Sequence, residues 1–318
     1  MTAPLNLAPT AAPVTDPTFR TYSVEQAEEY ARSRYAYAKE LYQFLFGWHA
    51  ARGGSFEKLL DAGCGPGKAT REMASSFDEV IGADAGPSMI ETARNIGGIT
   101  KTGKPIQWEI STAEELDKIT GLEENSIDVI TGATCAHWFT MEEFWPVAAK
   151  VVKPGGTVAF WCQHELHVHP SHPRASIIKE QMEQFMNPDN GAHEVEGVRI
   201  VNNYYRDLKL PWQIPQPVTA FPEEKYHRQE WDYDDNFADG KDFFGGSLTI
   251  TISQLEHLFG TSSIAVRWRE AHPDLVGTDE DLLTKSPRVL REAAGMQPDE
   301  DGELRIGGAM TMLLFQKL

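Results

Sequence analysis

Asp61, Gly63, Gly65 and Gly67 alternate with other residues in LLDAGCGPGKAT, residues 59–70. Glycines placed this way after an apolar run let a backbone turn sharply and approach a ligand closely. Two phosphate-binding patterns can be tested here. G-x-x-x-x-G-K-[ST] fails twice, with Ala62 at its first glycine and Ala69 at its Ser/Thr position. G-x-G-x-x-G fits at Gly63 and Gly65, but Lys68 occupies the third glycine position and Gly67 comes one residue early. Asp61 adds a carboxylate at the strand end, awkward beside a pyrophosphate and comfortable beside a cation. A second acid, Asp84, closes the next apolar run about 20 residues on, the spacing at which a carboxylate binds ribose hydroxyls.

S-Adenosylmethionine (SAM) meets these demands. It carries a sulfonium and an ammonium and no phosphate. The glycine backbone would pack along its methionyl part, and the helix N-terminus after the loop favours its carboxylate.

Other residues could do chemistry. HELHVHPSH, 164–172, holds four histidines, of which His167 and His169 have strand spacing. Three neutral imidazoles can hold zinc, but the segment leads into a Pro-rich loop with no upstream ligand evident, and no metal is expected. Arg199, Arg206, Lys209 and Arg228 are bases that could pair with a distal carboxylate of an acceptor. Many aromatics follow residue 163, among them Tyr204, Tyr205, Trp212 and Phe221. Some must build a core and some should line a pocket.

These residues need elements to hold them. Val24 to Trp48 reads as helix, Lys58 to Ala62 as a strand, and Lys68 to Phe77 as a helix carrying Ala69, Met73 and Phe77 on one face. EVIGAD (79–84) is a second strand and PSMIETARNI (87–96) a helix opened by Pro87. PIQWEIS (105–111) alternates as a third strand, and IDVITGAT (127–134) is a fourth. Thr140 and Glu143 form a capping box for a helix to Val152. PGG at 154–156 ends that helix, and TVAFW (157–161) is the fifth strand. Strands alternating with helices predict a doubly wound, mostly parallel sheet. The pattern breaks after Gln163, so 164–260 reads as an inserted lid. Helical DEDLLTKSPRVLREAAG (279–295) follows, and RIGG and AMTMLLFQK are expected as a strand pair returning to the sheet edge.

The expected organisation is a flexible Pro/Ala/Thr-rich tail over 1–20, a ligand-binding core over 21–163, the lid over 164–260, and the rest of the core over 261–318. Of 318 residues, 47 are Asp or Glu and 29 Lys or Arg, a net charge of −18. That balance disfavours nucleic acid and anionic membranes as partners. Cys64, Cys135 and Cys162 are odd in number and far apart, which fits a reducing, cytoplasmic setting rather than a disulfide framework. No apolar run reaches the ~20 residues of a membrane span, and the N-terminus lacks the pattern of a secretory signal.

LLDAGCGPGKAT, VIGADAGPSMI, WEISTAEEL and IDVITGATCAHWF together resemble the successive motifs of class I SAM-dependent methyltransferases, most nearly the small-molecule group that includes trans-aconitate methyltransferase. H-W-F after the fourth strand (His137, Trp138, Phe139) and Y-x-x-x-R (Tyr30, Arg34) carry that likeness. It is strong over about 30–161, weaker at GGAMTMLLFQK and poor across 164–260. Tyr35 and Ala38 stand where the group has prolines, and Ser111 where it often has an acid. The resemblance implies a Rossmann-like seven-stranded sheet, with Arg34 and Tyr30 on the SAM carboxylate and Gly63 and Gly65 along the methionyl part. It places Asp84 on the ribose with Ala85 beside it. Met89, Thr112 and Ala113 would surround the adenine, and Ala133 and Thr134 would offer backbone near the sulfonium. It further implies a small carboxylic acid as methyl acceptor, with His137, Trp138 and Trp161 at the acceptor face. A phenol or other secondary metabolite as acceptor, and a non-catalytic SAM sensor, are the alternatives.

Overall fold

The computed structural model describes residues 18–164, 166–232 and 242–318. The expected tail falls largely on residues 1–17, outside the described residues. A 3₁₀ turn, Thr18–Thr21, leads into α1, Val24–Ser33, and α2, Lys39–Ala50. The single helix expected over 24–48 is therefore two. Ser23 opens α1 with a complete capping box, and Arg34 takes extended backbone at ψ 131°. The link 34–38 stays open although neither proline is present.

Six strands and three helices then alternate almost as expected: β1 Lys58–Ala62, α3 Lys68–Ala74, β2 Glu79–Asp84, α4 Pro87–Ile96, β3 Gln107–Ile110, β4 Ile127–Ala133, α5 Met141–Val151, β5 Val152–Gln163 and β6 His167–Val168. Pro87 sits in the first turn of α4. The capping box at Thr140 does not form: its side chain makes no cap bond. The Glu114 carboxylate accepts from the Thr140 N–H at 2.7 Å, because the 3₁₀ turn Ala113–Lys118 brings an acid closer than Glu143.

Beyond residue 163 the chain forms α6 Ala175–Met186, α7 Glu196–Asn202, β7 Tyr226–Trp231, β8 Leu248–Thr251, α8 Ile252–Gly260, α9 Ser263–Ala271, α10 Leu282–Ala294, β9 Glu303–Gly307 and β10 Met310–Gln316. The main sheet has order β3-β2-β1-β4-β5-β10-β7, and β6-β9-β8 form a second, three-stranded sheet. β10 runs antiparallel to both β5 and β7, so β7 points the same way as the parallel strands. Two expectations change here. The edge strand β7 comes from within the expected insertion. β9, expected beside β10, pairs instead with β6 and β8. Burial explains the exchange. Leu304 and Ile306 of β9 are buried while Glu303 and Arg305 are exposed, the alternation of a sheet covered on one face. β10 is buried throughout, as a strand covered on both faces must be.

Side-chain alternation assigns β5 and β10 to two cores. Val158, Phe160, Leu313 and Phe315 join α5 and the segment 205–221 on one face. Ala159, Trp161, Met312 and Leu314 join α2, α3 and α4 on the other. A third core unites α6, α8, α9, α10 and the small sheet through Ile178, Leu255, Trp268, Leu290 and Ile306. Among the described residues no helix is long and apolar enough to cross a membrane.

Candidate functional site

A cavity of about 430 Å³ opens where the carboxyl ends of β1, β2 and β4 meet α1 and the third core. Tyr30, Arg34, Gly63, Gly65, Asp84, Ala85, Met89, Thr112, Ala113, Ala133, Thr134, His137 and Trp138 all line it. Those sequence-chosen residues are thus brought together. Two others are not. Asp61 is fully buried and lies beneath the loop, accepting from Thr70 Oγ1 at 2.5 Å and Thr131 Oγ1 at 2.7 Å. Desolvation pushes its carboxyl up to about 6, against the pull of the two hydroxyls. It braces the glycine loop from below and does not line the cavity. Trp161 is also fully buried. Strand parity turns it towards α2, edge-on to Tyr37 and Tyr42 at 5.6 and 6.0 Å, away from the acceptor face expected for it.

The glycine loop is shaped for close approach. Gly63, Gly65 and Gly67 hold φ of 64°, 54° and 79°, left-handed backbone that glycine adopts without strain. A Cβ on Gly63 would come within 2.8 Å of Cys135 Sγ, while one on Gly65 would meet nothing. The loop is packed below and open towards the cavity.

Asp84 ties the loop to the next strand. Its Oδ2 accepts from the Gly65 N–H and its Oδ1 from the Gly86 N–H, both at 2.8 Å. Each oxygen keeps a lone pair for a further hydroxyl. Burial raises its pKa against those two amides. Arg34 projects over the Tyr30 ring at 4.6 Å and donates from Nη2 to the Thr261 carbonyl at 3.3 Å. Its Nε is buried without a hydrogen-bond partner among the described residues. A guanidinium with an orphaned donor in a cavity wall is suited to an anion such as an amino-acid carboxylate. The open glycine cradle, the Asp84 lone pairs and the Arg34 donor fit SAM at its methionyl, ribose and carboxylate parts in turn.

At the other end, His137 Nδ1 lies 3.0 Å from the Tyr205 hydroxyl. Burial pushes this imidazole down to about 3, so the ring is neutral at physiological pH. The wall beyond it is mostly apolar, with Met182 and Phe185 of α6, Val201 of α7, Leu258 and Phe259 of α8 and Leu290 of α10, and takes Asn202, Glu256 and Ser286 from the same helices. None of Arg199, Arg206, Lys209 and Arg228 lines the cavity. Arg206 and Arg228 both pair with Glu230, at 2.9 Å for Arg206. Sequence reasoning missed Arg20, Tyr37, Cys135 and Phe139, all of which line the cavity. Phe139 closes the H-W-F motif and Cys135 lies two residues before it, so both could have been included by adjacency.

Comparisons with known proteins agree with this geometry. Residues 60–160 match the family model described as a methyltransferase domain. Among curated relatives, CRG1 of Saccharomyces cerevisiae, named a probable S-adenosylmethionine-dependent methyltransferase, is 29% identical over 43% of this chain and 45% of its own length. Methyltransferase cfoB of Aspergillus candidus is 30% identical over 46% of this chain and 45% of its own. The chain spans a little under half the length of these two relatives. A solved structure described as a type II methyltransferase from Anaeromyxobacter dehalogenans aligns over 86% of this chain and 94% of its own, with 22% identity and a TM-score of 0.56. The fold is that of the class I methyltransferases. The chain carries a SAM-dependent methyltransferase domain, and SAM is the cofactor of that domain.

Proposed function

We propose that the protein methylates a carboxyl oxygen of a small, largely apolar acid. The segments α6–α10 act as a lid over the acceptor. The observation that carries this reading is the asymmetry of the cavity, polar and glycine-lined at one end and apolar around a neutral histidine at the other. Bound SAM supplies an electrophilic methyl on a sulfonium.

The chain's own residues do the rest. Asp84 and Arg34 hold the two polar ends of the cofactor. The left-handed corner at Thr134, φ 52°, turns backbone towards the cavity between them. His137, held near 3, is too weak a base to store a proton at neutral pH. This favours an acceptor that arrives ionised, as carboxylates do. In the tautomer whose Nδ1 accepts from the Tyr205 hydroxyl, the neutral ring would keep an Nε2–H to orient a carboxylate oxygen. The apolar walls exclude water from that anion, and fewer solvating waters leave it more reactive. Arg206 and Arg228 are paired with Glu230 and do not line the cavity, so neither would meet a second, distal carboxylate, and a monocarboxylic acid fits better than a di- or tricarboxylic one.

The test offers the protein SAM with matched sets of apolar monocarboxylic acids, di- and tricarboxylic acids and phenols, read by mass spectrometry. Methyl esters of the first set are expected. Methyl ethers of the phenols alone would replace the acceptor class. SAM binding without any product would favour the sensor alternative.

A further inference from the structure

The histidines of 164–172 do not gather. His164 stacks on the Tyr204 ring at 3.5 Å, and His169 Nδ1 bonds Ser171 Oγ at 2.7 Å. A different group assembles on the outer side of the lid. Asp189 follows α6, His193 precedes α7, and His272 follows α9. Each offers one ligand atom, and the three atoms lie within 4.8 Å of one another. His193 Nε2 is 2.9 Å and His272 Nε2 3.6 Å from the same oxygen, Asp189 Oδ2.

Hydrogen bonding orients the His272 ring. Its Nδ1 lies 2.9 Å from the Trp268 carbonyl. A carbonyl only accepts, so Nδ1 carries a hydrogen and Nε2 is the nitrogen left to face a ligand. Nε2 faces Asp189 Oδ2 across 3.6 Å, room for an ion between them. A backbone carbonyl on the far nitrogen is also the usual support of a metal-ligating histidine. Stacking on Trp268, 4.5 Å between centroids at 23°, fixes the ring plane. Arg267 Nε holds the His193 carbonyl at 3.0 Å, pinning that loop to α9. Tetrahedral zinc with bonds of about 2.0–2.2 Å sets its ligand atoms roughly 3.3 Å apart. The observed 2.9 and 3.6 Å straddle that spacing.

We propose that Asp189, His193 and His272 hold a zinc ion, with a fourth position left to solvent on the exposed side of Asp189. His193 would present Nε2, the atom already turned to Asp189 Oδ2. The ion would join the α6–α7 connection to the end of α9. Met182, Phe185 and Met186 precede Asp189 and line the cavity, and Val198 and Val201 line it after His193. The ion therefore fixes the outer wall of the acceptor chamber without touching the reaction.

The test titrates EDTA-treated full-length protein with zinc sulfate in a calorimeter, and follows the thermal unfolding midpoint with and without zinc. One ion per chain and a raised midpoint are expected. His193→Ala, His272→Ala and the near-isosteric Asp189→Asn should each weaken binding by at least about tenfold and abolish the midpoint shift. His167→Ala and His172→Ala should change neither. Circular dichroism identifies any variant that fails to fold, and Asp189→Asn keeps the comparison open if a histidine variant does. No uptake by the wild type would overturn the site. So would uptake undiminished in Asp189→Asn and His193→Ala, or uptake lost only in His167→Ala.

Discussion

The Tyr37 hydroxyl lies 2.9 Å from Thr134 Oγ1, which ties the link between α1 and α2 to the end of β4. Thr134 holds φ at 52°, a left-handed state that costs a β-branched residue about 1–3 kcal/mol. Its N–H donates to the Trp161 carbonyl at 2.8 Å, and the Tyr37 ring packs edge-on against Trp161. Strain at a cavity-lining corner is thus held in place by the two aromatics behind it. Tyr37→Phe should lower the unfolding free energy by about 0.5–1.5 kcal/mol and weaken SAM binding. Denaturant titration and calorimetry read the two effects. Lowered stability with unaltered SAM affinity would confine Tyr37 to the fold.

Asp84 has both oxygens on backbone amides and lines the cavity. Asp84→Ala should weaken SAM binding by about 1–3 kcal/mol, the cost of losing a hydrogen bond to a charged group. Calorimetric titration of the folded variant checks this, and an unchanged affinity removes the ribose assignment.

His137 sets a pH dependence of stability. Its folded pKa of about 3 lies below the ordinary 6.5. Between these values the unfolded chain takes the proton and the folded chain does not. The stability is therefore complete above pH 6.5 and is lost as pH falls below it. At 1.36 kcal/mol per unit, this one ring costs about 2 kcal/mol at pH 5. His164, also held near 3, acts in the same direction. Asp61, raised to about 6, opposes them by gaining stability as pH falls through 6. His137→Gln should reduce the loss between pH 7 and pH 5 by about 2 kcal/mol, read by urea unfolding at the two values. Parallel losses in variant and wild type would contradict a buried neutral His137.

Trp161 separates packing from chemistry. Trp161→Ala should destabilise by about 3–5 kcal/mol, as large aromatic truncations in cores do. Trp161→Phe should leave the KM values for SAM and acceptor unaltered. A raised acceptor KM in a stable Trp161→Phe protein would return this side chain to the acceptor wall.

The strands β1 to β5 and the helices between them were legible because each is short, periodic and punctuated by Gly, Pro or an acid. Gly63, Gly65 and Asp84 were legible for the same reason, since spacing along one βαβ unit places them. Asp61 was misassigned because a strand-end acid looks alike whether it faces ligand or hydroxyls. Only the positions of Thr70 and Thr131 distinguish the two. Trp161 was misassigned although strand parity was available: with Phe160 on the α5 face, its neighbour must face α2. The exchange of β9 for β7 could not be read locally. Strand YHRQEW is half-buried at every position, so its pattern does not announce a sheet edge. In the metal-like group, Asp189 and His193 are four residues apart, but His272 lies on a distant segment, so the three share no spacing to detect.

The order β5-β10-β7 bears on how the chain reaches its fold during synthesis. Strands β1 to β5 can associate once residue 163 has left the ribosome. β7, although made earlier than β10, has no partner in this sheet until residues 310–316 arrive. Until then residues 157–163 of β5, which β10 will cover, present an open, apolar edge. Such an edge invites pairing with a neighbouring nascent chain. The window lasts while residues 164–309 are being translated, so slow elongation through them should raise aggregation more than slowing elsewhere.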